Sequence, residues 1–343
     1  MAQGTGAVFM KWYPWLNLPY RQIIARYQDG QGHHALLLHA MKGTGEDSLC
    51  YALSRWLICR QPEGTKSCGH CHSCLLMKAG NHPDFYRPEP EKGRTSLGVE
   101  SIRQVIDPLY HHAQQGGAKV VWLAQSEMLT EQAANALLKT LEEPPDRTYF
   151  LLACREPSRL LPTLRSRCLH WHLPPPDETT GLHWLRQQGI TDMAQARTAL
   201  RLYQGAPLSA LDLVQTERWA ERQALCHGVQ QALRERSFLP LLSLLSKDKD
   251  DEPLYWLLTL LTDALKWQQG AAEFALNLDQ LPLVSRLGEC YQPGALHQQL
   301  QQWLACRRQW QTISGVNREL LLTNQLLNWE ETAPDLPLSP WAL

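Results

Sequence analysis

The chain lacks a charge excess of either sign: Lys and Arg number 33, Asp and Glu 34, for a formal net charge of −1. No global basic field is available to attract nucleic acid, so any DNA contact must be local or shared with partners. It also lacks the run of about 18 apolar residues that spans a bilayer, and no secretory signal pattern is present. No Ser/His/Asp or Cys/His constellation for nucleophilic catalysis can be picked out. Tryptophan is abundant, but Trp184, Trp256, Trp267, Trp303 and Trp310 lie at helix-core spacing. They are not interleaved with the Lys and Arg that accompany base-stacking surfaces.

At 343 residues the chain exceeds one ordinary core, and two or three domains are expected. Met1 to Phe9 read as leader, because Met10-Lys11-Trp12-Tyr13-Pro14-Trp15 looks like a native start. The 10 cysteines without an export signal argue for a reducing compartment, where clustered thiols bind metal and scattered ones pack. The expected location is therefore cytoplasmic.

From about 20 to 173, apolar runs at 35–38, 119–123, 148–153 and 169–173 read as buried strands. Helical periodicity fills Ser48–Leu57, Val99–Ala113, Thr130–Leu141 and Pro157–Leu164. Such alternation predicts a parallel sheet covered on both faces, an α/β domain. Pro174-Pro175-Pro176 ends the last strand as a stiff hinge, and beyond it nothing reads as strand. Residues 177–214 predict two or three short helices broken at Gly205-Ala206-Pro207. From 217 to 330 the chain is helical, with Leu254, Leu257, Leu258, Leu261 and Leu265 on one apolar face. Leu300, Leu304 and Trp310, then Leu320, Leu321, Gln325 and Leu327, suggest further faces. Asp248 to Glu252 reads as a solvated acidic loop capping the helix after Pro253. The proposed parts are 10–173, with a metal module at about 59–82, then 174–216 and 217–333, and a loose tail at 334–343.

Residues Ala40 to Asp47 occupy the place of a phosphate-binding loop, between an apolar strand and a helix. A working loop reads G-x-x-x-x-G-K-[ST]: backbone amides cradle phosphate, Lys reaches its oxygens, and the hydroxyl holds Mg²⁺. Here Gly43 and Gly45 remain, but the first Gly is Ala40, the Lys is Glu46 and the hydroxyl is Asp47. A carboxylate in place of the ammonium reverses the local electrostatics, so an ATPase fold without ATPase activity is expected.

Cys59, Cys68, Cys71 and Cys74 form C-x8-C-x2-C-x2-C, with Gly69 and Ser73 suited to the turns. Four thiolates close a tetrahedral zinc site with no open position, which makes the metal structural. The bland alternatives are unrelated cysteines or a redox pair, and His70, His72 and His82 lie near enough to substitute for a ligand. His33-His34 and His111-His112 have no third ligand at useful spacing, and read as solvated or packing residues.

These features occur in order with Asn135-Ala136-Leu137-Leu138-Lys139-Thr140-Leu141-Glu142-Glu143-Pro144-Pro145 and with Leu164-Arg165-Ser166-Arg167-Cys168. The set resembles the clamp-loader branch of the AAA+ proteins, and within it the δ′ subunits of bacterial DNA polymerase III. Trp12-Tyr13-Pro14-Trp15-Leu16 and Gly315-Val316-Asn317-Arg318-Glu319-Leu320-Leu321 are also similar to δ′. The resemblance implies a RecA-like AAA+ domain with an inserted zinc loop, a small helical lid and a helical collar. It aligns Ala124-Gln125 with the Asp-Glu of a Walker B strand, and Leu208 with the lid arginine that touches the γ-phosphate. Parts needed for phosphoryl transfer are thus missing together.

The resemblance also makes Arg167, between Ser166 and Cys168, an arginine finger acting on a neighbour's ATP. The alternative is a solvated or structural arginine, a role better suited to Arg165. The implied partners are the γ/τ ATPase subunits and the δ subunit, with the β sliding clamp and primed DNA reached through the assembly at the nucleoid-associated replisome. No bound ATP is expected. An atypical AAA+ ATPase that still hydrolyses ATP is the enzymatic alternative. A zinc-containing nucleic-acid-binding protein is another, weakened because the zinc loop offers few basic residues beyond Arg60, Lys66 and Lys78.

Overall fold

Four consecutive apolar residues, Ala35 to Leu38, can be buried without loss only where both sides of a strand are covered, and they form the interior of the sheet. A computed structural model describes residues 10–91, 93–247, 251–313 and 315–331. The expected leader and tail fall outside that range. The chain divides into two compact units, Met1–Pro176 and Asp177–Leu343.

In the first unit the strands are β1 (Ala35–Ala40), β2 (Phe85–Tyr86), β3 (Lys119–Leu123), β4 (Thr148–Cys154) and β5 (Leu169–Leu173). They form one parallel sheet in the order β2-β3-β4-β1-β5. Leu36 pairs with Leu151 on one side and Leu169 on the other. The helices are α1 (Asn17–Gln28), α2 (Glu46–Ile58), α3 (His72–Ala79), α4 (Val99–Leu109), α5 (Glu131–Glu142) and α6 (Pro162–Arg165). Successive strand residues face opposite ways. Leu37, Val121, Phe150 and Leu152 accordingly meet Ile102 and Leu109 of α4, Leu137 and Leu141 of α5, and Leu164 of α6 in one buried core. Helix α2 packs against β3 and β4, and α1 packs against α2.

Several local expectations shift. β2 spans only Phe85–Tyr86, too short for any periodicity to reveal. Helix α4 stops at Leu109 rather than Ala113, and the buried Lys119 ammonium takes up the carbonyls of Leu109 and His111 at that end. Pro157–Leu164 is a 3₁₀ turn at Pro157–Arg159 followed by α6, whose start is set by Pro162. Helix α5 begins where expected, with the Thr130 side chain accepting from the Ala133 N–H at 3.2 Å.

The second unit is helical throughout its described residues: α7 (Glu178–Gln187), α8 (Met193–Leu202), α9 (Pro207–Gln215), α10 (Glu217–Glu235), α11 (Leu242–Leu245), α12 (Glu252–Gln268), α13 (Leu281–Cys290), α14 (Pro293–Thr312) and α15 (Arg318–Glu331). Asp177 and Asp192 cap α7 and α8 through their side chains. Gly205, at φ 89°, makes the break before α9. The expected face of α12 is inward, with Leu254, Leu257, Leu258 and Leu261 buried. On α14 and α15 the inward face keeps the expected Trp310 and Gln325 but otherwise differs. Leu296, Trp303, Cys306 and Trp310, then Leu322, Gln325, Leu326 and Trp329, are buried, whereas Leu304, Leu320 and Leu327 are exposed. The rings decide it: Phe238 stacks on Trp329 at 4.3 Å, and Trp303 meets Trp329 edge-on at 5.6 Å. At the expected acidic cap, Pro253 lies inside the first turn of α12. Asp251 is tied to α14, its Oδ2 accepting from Arg307 Nε and Gln311 Nε2, both at 2.6 Å. Residues 248–250 of that loop lie outside the described residues. No helix among the described residues is long and apolar enough to cross a membrane.

Candidate functional site

The cysteine spacing becomes a cluster because helix ends bracket a short loop. Cys59 follows the last residue of α2, Cys71 precedes α3, and Cys74 lies in its first turn. The αL glycine Gly69, at φ 77°, turns the chain between Cys68 and Cys71. The four sulfurs lie within 4.8 Å of one another, with Cys59–Cys68 at 3.5 Å and Cys68–Cys74 at 3.9 Å. A tetrahedron of thiolates about 2.3 Å from zinc has edges of about 3.8 Å, so the set fits a closed metal site. Backbone N–H groups already point at the sulfurs, Cys68 N–H at Cys59 Sγ (3.3 Å) and Cys71 N–H at Cys68 Sγ (3.4 Å). Burial pushes the Cys59 and Cys74 thiols up. Burial also acts on Cys71, but N–H groups of Arg60 and Cys74, together with the Cys74 and Cys68 sulfurs, outweigh it and bring the thiol down to about 6. No histidine joins this cluster of ligand atoms among the described residues: the His70 ring contacts the Cys68 carbonyl at 2.9 Å, and His82 Nδ1 accepts from Asp84 N–H at 3.1 Å. The loop rests on its own unit, since Tyr20 OH donates to Thr65 O at 2.8 Å and Trp56 Nε1 to Gly64 O at 3.0 Å.

The phosphate-loop remnant leaves the carboxyl end of β1, where open parallel sheets place their ligands. Gly43 and Gly45 are left-handed, at φ 87° and 92°, and Gly45 leads into α2. The backbone course of the motif therefore survives. The side chains of the loop are engaged with their own neighbours. The Thr44 hydroxyl donates to Met41 O at 2.8 Å and lies 3.3 Å from Glu46 Oε2. Burial raises the Glu46 and Asp47 carboxyls; Arg155 opposes this at both, and Arg87 at Asp47. The chain's own N-terminal segment also covers the loop. Trp15 Nε1 donates to Thr44 O at 2.7 Å, Ser48 Oγ donates to Lys11 O at 2.9 Å, and Tyr13 stacks on Trp15 at 5.2 Å. A Cβ at Gly45 would come within 2.9 Å of the Tyr13 ring, so this close approach as well as its φ requires glycine. At the end of β3, Ala124 and Gln125 offer no carboxylate to a cation.

Arg167 lies between α6 and β5, away from that loop in sequence and engaged with different groups. Its neighbours bond back to α6: the exposed Ser166 donates through Oγ to Thr163 O at 3.1 Å, and buried Cys168 donates to Leu164 O at 3.4 Å. Burial pushes the Cys168 thiol up to about 12, so it is inert at neutral pH. The Arg167 side chain is 30% exposed and pairs with Glu142, the last residue of α5.

Three family models match in succession: "DNA polymerase III, delta subunit" at residues 17–177, "DNA polymerase III subunit delta′, AAA+ ATPase lid domain" at 176–215, and "DNA polymerase III, delta subunit, C terminal" at 216–331. DNA polymerase III subunit delta′ of Yersinia pestis is 58% identical over 327 residues, covering 94% of this chain and 96% of the relative. This chain belongs to the delta′ family. The delta′ protein of Escherichia coli K12 is 47% identical over 321 residues, again covering 94% of this chain and 96% of the relative. A shorter likeness joins this delta′ chain to DNA polymerase III subunit tau/gamma of Haemophilus influenzae, 36% identical over 152 residues, which is 44% of this chain and 22% of that protein.

Of the residues singled out in the sequence, Cys59, Cys68, Cys71 and Cys74 come together, and Ala40 to Asp47 do form a strand–loop–helix turn. Trp15, Arg87, Arg155 and Glu142 were not anticipated. Their involvement depends on contacts between distant segments; Trp15 and Glu142 had stood out only within the resemblances at Trp12–Leu16 and Asn135–Pro145, without these roles.

Proposed function

We propose that this delta′ chain is a non-hydrolysing subunit of the DNA polymerase III clamp loader. In that role it helps place the β sliding clamp on primed DNA during chromosome replication, beside γ/τ ATPase subunits and a δ subunit, in the bacterial cytoplasm. One contrast carries the reading. The phosphate loop holds Glu46 and Asp47 under a covering N-terminal segment, whereas Arg167 keeps a partly exposed side chain on the same unit. A subunit without its own ATP chemistry has no use for an arginine finger in its own site, so Arg167 serves a neighbour's γ-phosphate. A planar, permanently charged fork suits charge growing on a transferring phosphoryl group, and such fingers contribute about 10³–10⁵ in rate elsewhere.

A structural Zn²⁺ held by Cys59, Cys68, Cys71 and Cys74 supplies cross-linking rather than chemistry, because four protein ligands leave no open position. Exposed Leu320 and Leu327, seven residues apart on α15, with exposed Leu304 on α14, support a role for the C-terminal helices in subunit packing.

Calorimetry of the purified chain with MgATP, together with ATPase assays of the reconstituted loader, tests the reading. No micromolar binding is expected from the isolated chain. Arg167→Ala should assemble normally yet lower clamp- and DNA-stimulated hydrolysis, with Arg167→Lys only partly restoring it because a point charge lacks the fork. Micromolar ATP affinity refutes the non-ATPase reading. An Arg167→Ala loader with unchanged ATPase and loading rates makes Arg167 structural.

A further inference from the structure

Arg167 carries five N–H donors on one plane. Its Nε donates to Glu142 Oε1 at 2.7 Å, its Nη2 reaches the same oxygen, and its Nη1 donates to Thr163 O at 2.6 Å. Those contacts use one donor on each nitrogen and leave two N–H groups, one on each terminal nitrogen. The acceptors stand on rigid supports. Glu142 ends α5, Thr163 lies in α6, the two helices pack together, and Leu141 and Leu164 beside them are buried in the sheet core. The carboxylate and the carbonyl thus fix the guanidinium from two directions.

Folding does not account for this arrangement. The Glu142 side chain is 49% exposed and that of Arg167 30%, and pairs so solvated contribute little to stability. Their effect is instead to remove rotamer freedom from a long side chain, the cost otherwise met when it engages a ligand.

We propose that Glu142 is a positioning residue for Arg167: it holds the guanidinium plane in the free subunit and leaves the remaining N–H groups for anionic phosphate oxygens bound by the adjacent subunit. This rests on the reading that Arg167 acts in trans. Glu142 touches no nucleotide and acts only through Arg167. Neighbouring Glu143, also exposed, makes no bond to that side chain and serves as the control for loss of one negative charge.

The test uses the assembled loader, with kcat and KM for ATP measured in the presence of clamp and primed DNA. Glu142→Ala should lower kcat roughly threefold to tenfold, the range expected for releasing one rotamer-rich side chain, with KM held within about twofold. Glu142→Gln should recover most of the loss, since its amide oxygen still accepts from Nε and Nη2. In an Arg167→Ala background, Glu142→Ala should change nothing further, and Glu143→Ala should leave kcat intact throughout. An unchanged kcat in Glu142→Ala, an equal loss in the Arg167→Ala background, or an equal loss in Glu143→Ala overturns the assignment. If Arg167→Ala alone has no effect, the trans reading falls and the role of Glu142 falls with it, an outcome distinct from those three.

Discussion

Replacing Asp279 with Ala should destabilise the helical unit by more than any surface change. The Arg222 side chain of α10 is fully buried and that of Asp279 is 11% exposed. The pair is bidentate, Nη1 to Oδ2 at 2.7 Å and Nη2 to Oδ1 at 2.9 Å, and Nη2 also donates to Asn277 Oδ1 at 2.7 Å. Gln223 donates to the same carboxylate at 2.8 Å, and the Asp279 N–H lies 3.2 Å from Thr198 Oγ1 of α8. Asp279→Ala would leave a buried guanidinium with only Asn277 as an acceptor. Breaking one side of such a pair costs about 3–5 kcal/mol. At about 2–4 °C per kcal/mol for a unit of this size, Tm should fall by about 6–20 °C. Thermal unfolding followed by circular dichroism measures the fall, and hydrogen exchange in α8, α10 and α12 assigns it to this unit. The Asp279→Ala, Arg222→Met double variant should recover much of the loss, because no unpaired charge remains. Burial would raise the Asp279 carboxyl, but Arg222, Gln223 and Gln280 outweigh it and hold it below the ordinary carboxylate range. Its stabilisation is therefore present above that range and is lost as pH falls through the lowered folded value. Wild type and Asp279→Asn should begin to converge as pH falls below about 4. A Tm change under about 3 °C, or double-variant losses that simply add, would refute the coupling.

Carefully purified protein should contain one zinc per chain by elemental analysis, and Cys74→Ser should lose it. Chelation should speed amide exchange around 59–82 while β1, β3 and β4 stay protected, since structural zinc binding of about 10–16 kcal/mol orders loops that have no core of their own. Glu46→Gln should raise Tm at pH 7.5 and leave it unchanged near pH 4. Burial raises the Glu46 carboxyl, so the folded state favours the protonated form, and stability declines as pH rises through the raised value. Equal Tm values for Glu46→Gln and wild type at both pH values would show that the carboxylate is not disfavoured in the fold.

Much of the first unit was legible because its signals are local. The centres of strands β1, β3 and β4, covered on both faces, appear as apolar runs at 35–38, 120–123 and 150–153. The cysteines are close enough in sequence that two helix ends and one turn bring them together. The α14 and α15 faces were harder: leucine lies on several sides of these helices, so periodicity alone could not select the buried one. The packing of Phe238 and Trp303 against Trp329, one ring stacked and the other edge-on, selected it.

The sequence by itself determined the parallel sheet, the helical C-terminal half and the thiol set. Each is written within a strand, a helix or a turn, where residue spacing maps directly onto geometry. Only tertiary structure decided that Trp15 closes over Thr44, that Glu142 grips Arg167, and that Arg222 is neutralised by Asp279. These partners lie 29, 25 and 57 residues apart, and no local periodicity encodes a contact made when separate elements pack on a common core.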